Sequence, residues 1–248
     1  MRLLHITDPH LHADPAARMR GVCTDDTLRA VLDHAMKGAS PPDAILATGD
    51  LVQDETRAGY ERFRDLLRPL GLPVFCIPGN HDAPALMAEV LDEAPFQVGG
   101  TARLGAWRLV CLDSYAAHDD GGRLSPGELD RLRACLAGSP AAPTLVALHH
   151  HPVPMGSRWL DGVALRSPAE LLGIVTAAPQ VRAVVWGHVH QASDRWRGGL
   201  RLLSTPSTCA QFRPHCDDFA LDDLPPGYRW LDLGDDGRLR TEVAWVSP

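Results

Sequence analysis

The sequence predicts an α/β fold in which two β-sheets pack together and are flanked by helices. Three observations predict it. Short runs rich in Val, Ile and Leu alternate with helical patterns; nine such runs exceed what one open sheet ordinarily carries; and 248 residues suit one domain, residues 1–248, better than two. No internal repeat, low-complexity segment or interdomain linker interrupts the chain.

The elements follow in order. Strands are expected at residues 2–7, 44–48, 73–78, 107–112, 144–148, 181–186, 200–205, 228–233 and 239–246, each a short apolar run. Helices are expected at residues 25–37, 54–70 and 84–91. Two more begin at "SPGE" (Ser125 to Glu128) and "SPAE" (Ser167 to Glu170), where Ser takes the N-cap, Pro the first helical position and Glu the third. The tract "HDDGG" from His118 to Gly122 reads as a surface loop.

Charge narrows the function classes. The formal net charge is −7, with 24 basic against 31 acidic residues, so no overall field favours a nucleic acid polymer or an anionic membrane. Any phosphate must be held by local chemistry. Lys37 is the only lysine and Asn80 the only asparagine. The start of the chain has no h-region of signal-peptide length, and no apolar stretch approaches about 18 residues, so a soluble cytoplasmic protein is expected. Cys23, Cys76, Cys111, Cys135, Cys209 and Cys216 show no CxxC spacing and are expected to be buried, reduced thiols, with Cys209 and Cys216 the only close pair.

Five predicted strands run straight into polar clusters: "ITDPH" (Asp8, His10), "ATGD" (Asp50), "IPGNHD" (Asn80, His81, Asp82), "LHHHP" (His149, His150, His151) and "WGHVH" (His188, His190). In α/β sheets the C-terminal strand ends are where loops converge on a ligand. Asp, His and Asn donors without a thiolate suit Zn, Fe, Mn or Co, and seven of them suit two ions sharing one carboxylate. Each piece alone is commonplace turn chemistry. Their conjunction, with the only Asn inside one of them, points to a single site.

The ordered set D-x-H, G-D, G-N-H-D, H and G-H-x-H, spanning Asp8 to His190, resembles the calcineurin-like metallophosphoesterase superfamily. The stretches "LHHHPVPMGSRWLD", "GHVHQ" and "LLSTPSTCAQFRPHCDDFALD" are similar to its bacterial class III 3',5'-cyclic AMP phosphodiesterases, as far as about residue 230. Pro9 is a small departure that touches no catalytic position. The resemblance implies a four-layer α/β/β/α sandwich of two mixed β-sheets flanked by helices. It implies one metal on Asp8, His10, Asp50 and His190 and another on Asp50, Asn80, His149 and His188, with Asp50 bridging. Iron, manganese or both are the expected ions, with zinc or cobalt as alternatives.

The implied activity is hydrolysis of 3',5'-cyclic AMP to 5'-AMP by in-line attack of a hydroxide made available between two cations. His81, beside Asn80, is placed to protonate the leaving ribose oxygen; Asp82 either orients that imidazole or starts the next helix. Substrate contacts are expected from His10, Asp50, Asn80, His81, His190 and His215, the last on a loop over about residues 206–230 that covers the site or meets a neighbouring subunit. The partners so implied are a small cyclic nucleotide or phosphodiester and, as one option, a second copy in a homodimer.

Other small diesters, such as glycerophosphodiesters or 2',3'-cyclic nucleotides, would meet the same metal site. A non-catalytic interaction scaffold would not need all seven donors and His81. Among the other histidines, His5, His34 and His118 read as structural or solvated, and His12 as a bystander to His10. If the segment stays extended, alternation points His149 and His151 one way and His150 the other. The resemblance selects His149 as ligand, leaving His150 to support the site and His151 to face the substrate mouth.

Overall fold

Alternation along the strands sorts their side chains into separate cores. In the computed structural model, which describes residues 1–38 and 40–247, this sorting builds four layers. From Ala44–Thr48, Ile45 and Ala47 face the helices Thr24–Met36, Arg57–Leu67 and Pro84–Val90, whereas Ala44 and Leu46 face the other sheet. From Thr144–Leu148, Leu145 and Ala147 face the first sheet, and Val146 and Leu148 meet the helices Pro126–Ala137 and Pro168–Ala177. Three apolar cores therefore bind helices, sheet, sheet and helices in the predicted order.

Each large sheet has six strands. One runs Leu239–Trp245, Gly227–Leu233, Arg2–Ile6, Ala44–Thr48, Val74–Ile77 and Phe96–Val98, with the last four parallel. The other runs Ser193–Arg197, Leu200–Ser204, Val181–Trp186, Thr144–Leu148, Trp107–Cys111 and Gly100–Leu104, with four parallel strands between antiparallel edges. His5 ties the sheets across the middle, its ring nitrogens 2.8 Å from Thr48 Oγ1 and 2.7 Å from Thr205 Oγ1. Burial, reinforced by Arg229, holds its pKa down at about 3, so the ring is neutral.

All nine expected strands form, and three more complete the sheets. Phe96–Val98 and Gly100–Leu104 escape a pattern search because Gly99, Gly100 and Gly105, all at positive φ, break the apolar run. Ser193–Arg197 is a polar, largely exposed edge strand. The helix expected over residues 54–70 is shorter: Thr56 caps Arg57–Leu67 by accepting from the Gly59 N–H, and Arg68–Leu70 tightens to a 3-10 turn at Pro69. Ser125 caps as expected, its hydroxyl accepting from the Glu128 N–H at 3.1 Å. Ser167 does not: its ψ of 53° leaves the extended cap geometry, and its buried hydroxyl has no partner.

All six cysteines are free, but only Cys76, Cys111 and Cys209 are buried; the others are partly exposed. Among the described residues no helix is long and apolar enough to cross a membrane.

Candidate metal centre

Five of the seven predicted ligands lie in left-handed backbone: Asp8 (φ 52°), His10 (47°), Asp50 (50°), His188 (67°) and His190 (47°). Non-glycine residues there cost about 1–3 kcal/mol each and persist only where their surroundings over-determine them. The loops lock one another. The N–H groups of Asp8 and His10 donate to the carbonyls of Gly49 and Asp50 at 3.0 and 2.9 Å. The His188 N–H donates to both Asp8 carboxylate oxygens, and the His81 N–H donates to Asp50 Oδ1 at 2.9 Å.

Two glycines permit this crowding. A Cβ on Gly79 would lie 2.2 Å from Asp50 Oδ1, and one on Gly187 would lie 1.9 Å from Thr7 Oγ1 and 2.7 Å from Asp8 Oδ2. Gly187→Ala is therefore expected to destabilise the ion-free protein by about 1–3 kcal/mol and to displace Asp8. Urea unfolding with a chelator present checks the first effect and metal content the second.

The side chains close into two adjoining groups. In one, Asp8 Oδ1 is 3.4 Å from His190 Nε2, which is 3.1 Å from His10 Nε2, itself 3.7 Å from Asp50 Oδ2. In the other, the same Asp50 Oδ2 is 3.5 Å from His149 Nε2, which is 3.1 Å from Asn80 Oδ1, itself 2.9 Å from His188 Nδ1. Donors bound to one ion at about 2.0–2.2 Å lie about 3 Å or a little more from one another. Three imidazoles are also oriented from behind: His149 Nδ1 donates to Thr48 O, His190 Nδ1 to Ala210 O and His188 Nε2 to Val163 O. A carbonyl only accepts, so each ring keeps its lone pair for the centre. His10 Nδ1 is buried without such a partner.

The electrostatics suit a bound cation. Asp8 and Asp50 are buried, and their ion-pairing neighbours are histidines, with no Arg or Lys. Burial opposes their charge, yet His190 beside Asp8 and His149 beside Asp50 hold both carboxyls below the usual range. Burial likewise opposes charge on His149, but Asp50, joined by Asp8, lifts its pKa to about 9. Burial keeps His10 down at about 3 and His188 well below the usual value. Two buried carboxylates that draw a proton onto a neighbouring imidazole are a place for cationic charge. Two carboxylates, a carboxamide oxygen and four imidazoles fit a dinuclear centre.

The three consecutive histidines do not alternate. The chain bends after Leu148, and all three rings gather around His188, with centroids 5.0, 4.8 and 5.5 Å away for His149, His150 and His151. His149 reaches Asp50 and Asn80. His150 bonds Ser114 Oγ through Nδ1 at 2.8 Å. His151 is wholly buried, stacked on His188 and 3.6 Å from Asp161, so it does not face the substrate mouth.

Asp82 has neither expected role: its carboxylate accepts from Gly79 N, Leu51 N, Val52 N and Tyr60 Oη, bracing the loops beneath the site. Burial and then Asp50 push its pKa up to about 7. The His81 ring instead meets Gln53, whose Nε2 lies 3.1 Å from His81 Nδ1. Sequence reasoning missed Gln53 because the contact spans 28 residues.

A cavity of about 550 Å³ opens over the centre, lined by His10, Asp50, Asn80, His81, His188 and His190 together with His12, Gln53, Trp159, Phe212 and Phe219. Asp8 and His149 lie beneath this lining. His215 does not line it: a Cβ on Gly156 would stand 3.0 Å from its ring, and the same segment reaches the cavity through Phe212 and Phe219.

A double-sheet sandwich carrying such a donor set at its strand ends is a metallophosphoesterase. Residues 1–192 match the calcineurin-like phosphoesterase family, and the chain belongs to it. It is similar to the 3',5'-cyclic adenosine monophosphate phosphodiesterase CpdA of Haemophilus influenzae, at 43% identity over 100% of this chain and 90% of that one. The CpdA of Pseudomonas aeruginosa is 43% identical over 99% of this chain and 90% of its own. A dimetal phosphatase from Danio rerio shares the fold, with a TM-score of 0.68 at 13% identity and 99% of each chain covered.

Proposed function

We propose that the protein is a cytoplasmic, dinuclear metal-dependent phosphodiesterase that hydrolyses 3',5'-cyclic AMP to 5'-AMP. The observation that carries this is Asp50 Oδ2, one carboxylate oxygen adjoining both donor groups. The CpdA relatives, matched over 99–100% of this chain and 90% of their own, support 3',5'-cyclic AMP as the substrate.

Asp8, His10, Asp50 and His190 hold one ion and Asp50, Asn80, His149 and His188 the other, with iron or manganese expected and zinc or cobalt as alternatives. Ions bound there would make water more acidic and would offset charge on the phosphate. The chain's own residues do the rest. Hydrolysis breaks the bond from phosphorus to the 3' oxygen, which must gain a proton as it leaves. The Gln53 side-chain amide, 3.1 Å from His81 Nδ1, holds the ring in place and leaves His81 Nε2 to donate the proton that oxygen gains. The segment of residues 206–230 supplies the outer wall through Phe212 and Phe219.

Protein loaded with manganese or iron, assayed on 3',5'-cyclic AMP, cyclic GMP, 2',3'-cyclic AMP, a glycerophosphodiester and a chromogenic diester, tests the substrate. Highest kcat/KM is expected on 3',5'-cyclic AMP. Turnover of the chromogenic diester without comparable turnover of either 3',5'-cyclic nucleotide would overturn the assignment.

A further inference from the structure

The cavity has one apolar wall. Phe212 stacks on His190 with ring centroids 3.9 Å apart and planes 8° from parallel. Trp159 stands edge-on to Phe212 at 5.4 Å and to Phe219 at 5.2 Å, and Phe212 and Phe219 meet at 5.2 Å. The three rings thus form a continuous path from a metal-centre imidazole to the cavity mouth. There Phe219 remains 41% exposed, and the Arg20 guanidinium, from the hairpin Arg18–Met19 and Val22–Cys23, lies 4.6 Å over its ring.

Two features distinguish this wall from ordinary core packing. Trp159 lines the cavity, and its Nε1–H is buried with no acceptor, which a core indole ordinarily finds. The outermost ring also stays open to solvent although its neighbours are packed. A planar heteroaromatic ring with acceptor nitrogens satisfies both, by stacking on Phe219 and accepting from Trp159, while the phosphodiester to which it is attached reaches the metal centre.

We propose that Trp159, Phe212 and Phe219 form a nucleobase subsite, with Phe219 as the exposed stacking platform, Trp159 as hydrogen-bond donor and Arg20 closing the mouth. This deepens the cyclic AMP assignment and rests on it. The subsite would confer preference for a nucleotide over a bare diester, which the metal centre alone cannot supply because it meets only the phosphate. A stacked base contributes about tenfold or more in binding.

The test compares 3',5'-cyclic AMP with methyl ribofuranoside 3',5'-cyclic phosphate, the same cyclic diester without a base, on manganese-loaded protein, with product followed by phosphorus NMR. The ratio of the two kcat/KM values is expected to fall at least about tenfold in Phe219→Ala, chiefly through KM for the nucleotide, and to return in Phe219→Trp. Trp159→Phe, which keeps a ring and removes the donor, is expected to lower the ratio severalfold. A ratio unchanged in both Phe219→Ala and Trp159→Phe would overturn the subsite while leaving the phosphodiesterase assignment intact. Wild-type protein that cleaves the base-free diester and not cyclic AMP would overturn the assignment itself.

Discussion

Replacing Asp50 by Asn leaves a folded protein that binds at most one ion per chain and turns over cyclic AMP at least about a thousandfold more slowly. Asp50 Oδ2 is the one oxygen shared by the two donor groups, so removing its charge weakens both. The fold keeps most of its local contacts. An Asn oxygen can still accept from the His81 N–H that Asp50 Oδ1 now receives, and the side-chain amide can donate to His10 or His149. Without ions the substitution also breaks the buried pair between Asp50 and the His149 imidazole that it helps keep protonated. Unfolding in chelator is therefore expected at lower urea than for wild type but still as one cooperative transition, while metal analysis and turnover collapse. Two ions retained with near-normal turnover would contradict the bridging role.

His81→Ala separates proton donation from metal binding. The ring lines the cavity beside Asn80, and one of its nitrogens also lies within 4.8 Å of donor atoms of His10 and Asp50, so metal content is what separates the two roles. Metal content should stay at the wild-type level while kcat on cyclic AMP falls by about two to four orders of magnitude. A diester with a 4-nitrophenyl leaving group gives the sharper reading, because that group departs as an anion and needs no proton. Its turnover should fall far less than that of cyclic AMP. An equal loss on both substrates would mean that His81 acts on binding or on the centre, and loss of metal would make it a ligand.

The metal centre is legible in the sequence because its residues come at strand ends. Apolar runs such as "LVAL" before His149 and "AVVW" before Gly187 announce strands, and an Asp, Asn or His within a few residues of each marks where the chain stops packing. The backbone there is less readable. Alternation assumes an extended segment, whereas His149 to His151 bend around His188, and five of the seven predicted ligands sit at positive φ held by contacts from other loops. Long-range partners were missed for the same reason: Gln53 against His81 and Tyr60 beneath Asp82 depend on loops meeting in space. Phe212 and Phe219, from the same segment as His215, line the cavity, and composition could not show which side chains of that segment would turn inward.

Anomalous diffraction at the manganese edge, from crystals of protein loaded with that ion, tests the shared-carboxylate centre most directly. Two peaks are expected, about 3.5–4 Å apart on either side of Asp50, one against His10 and His190 and the other against Asn80, His149 and His188. A single peak, or two that do not share the Asp50 carboxylate, would contradict it.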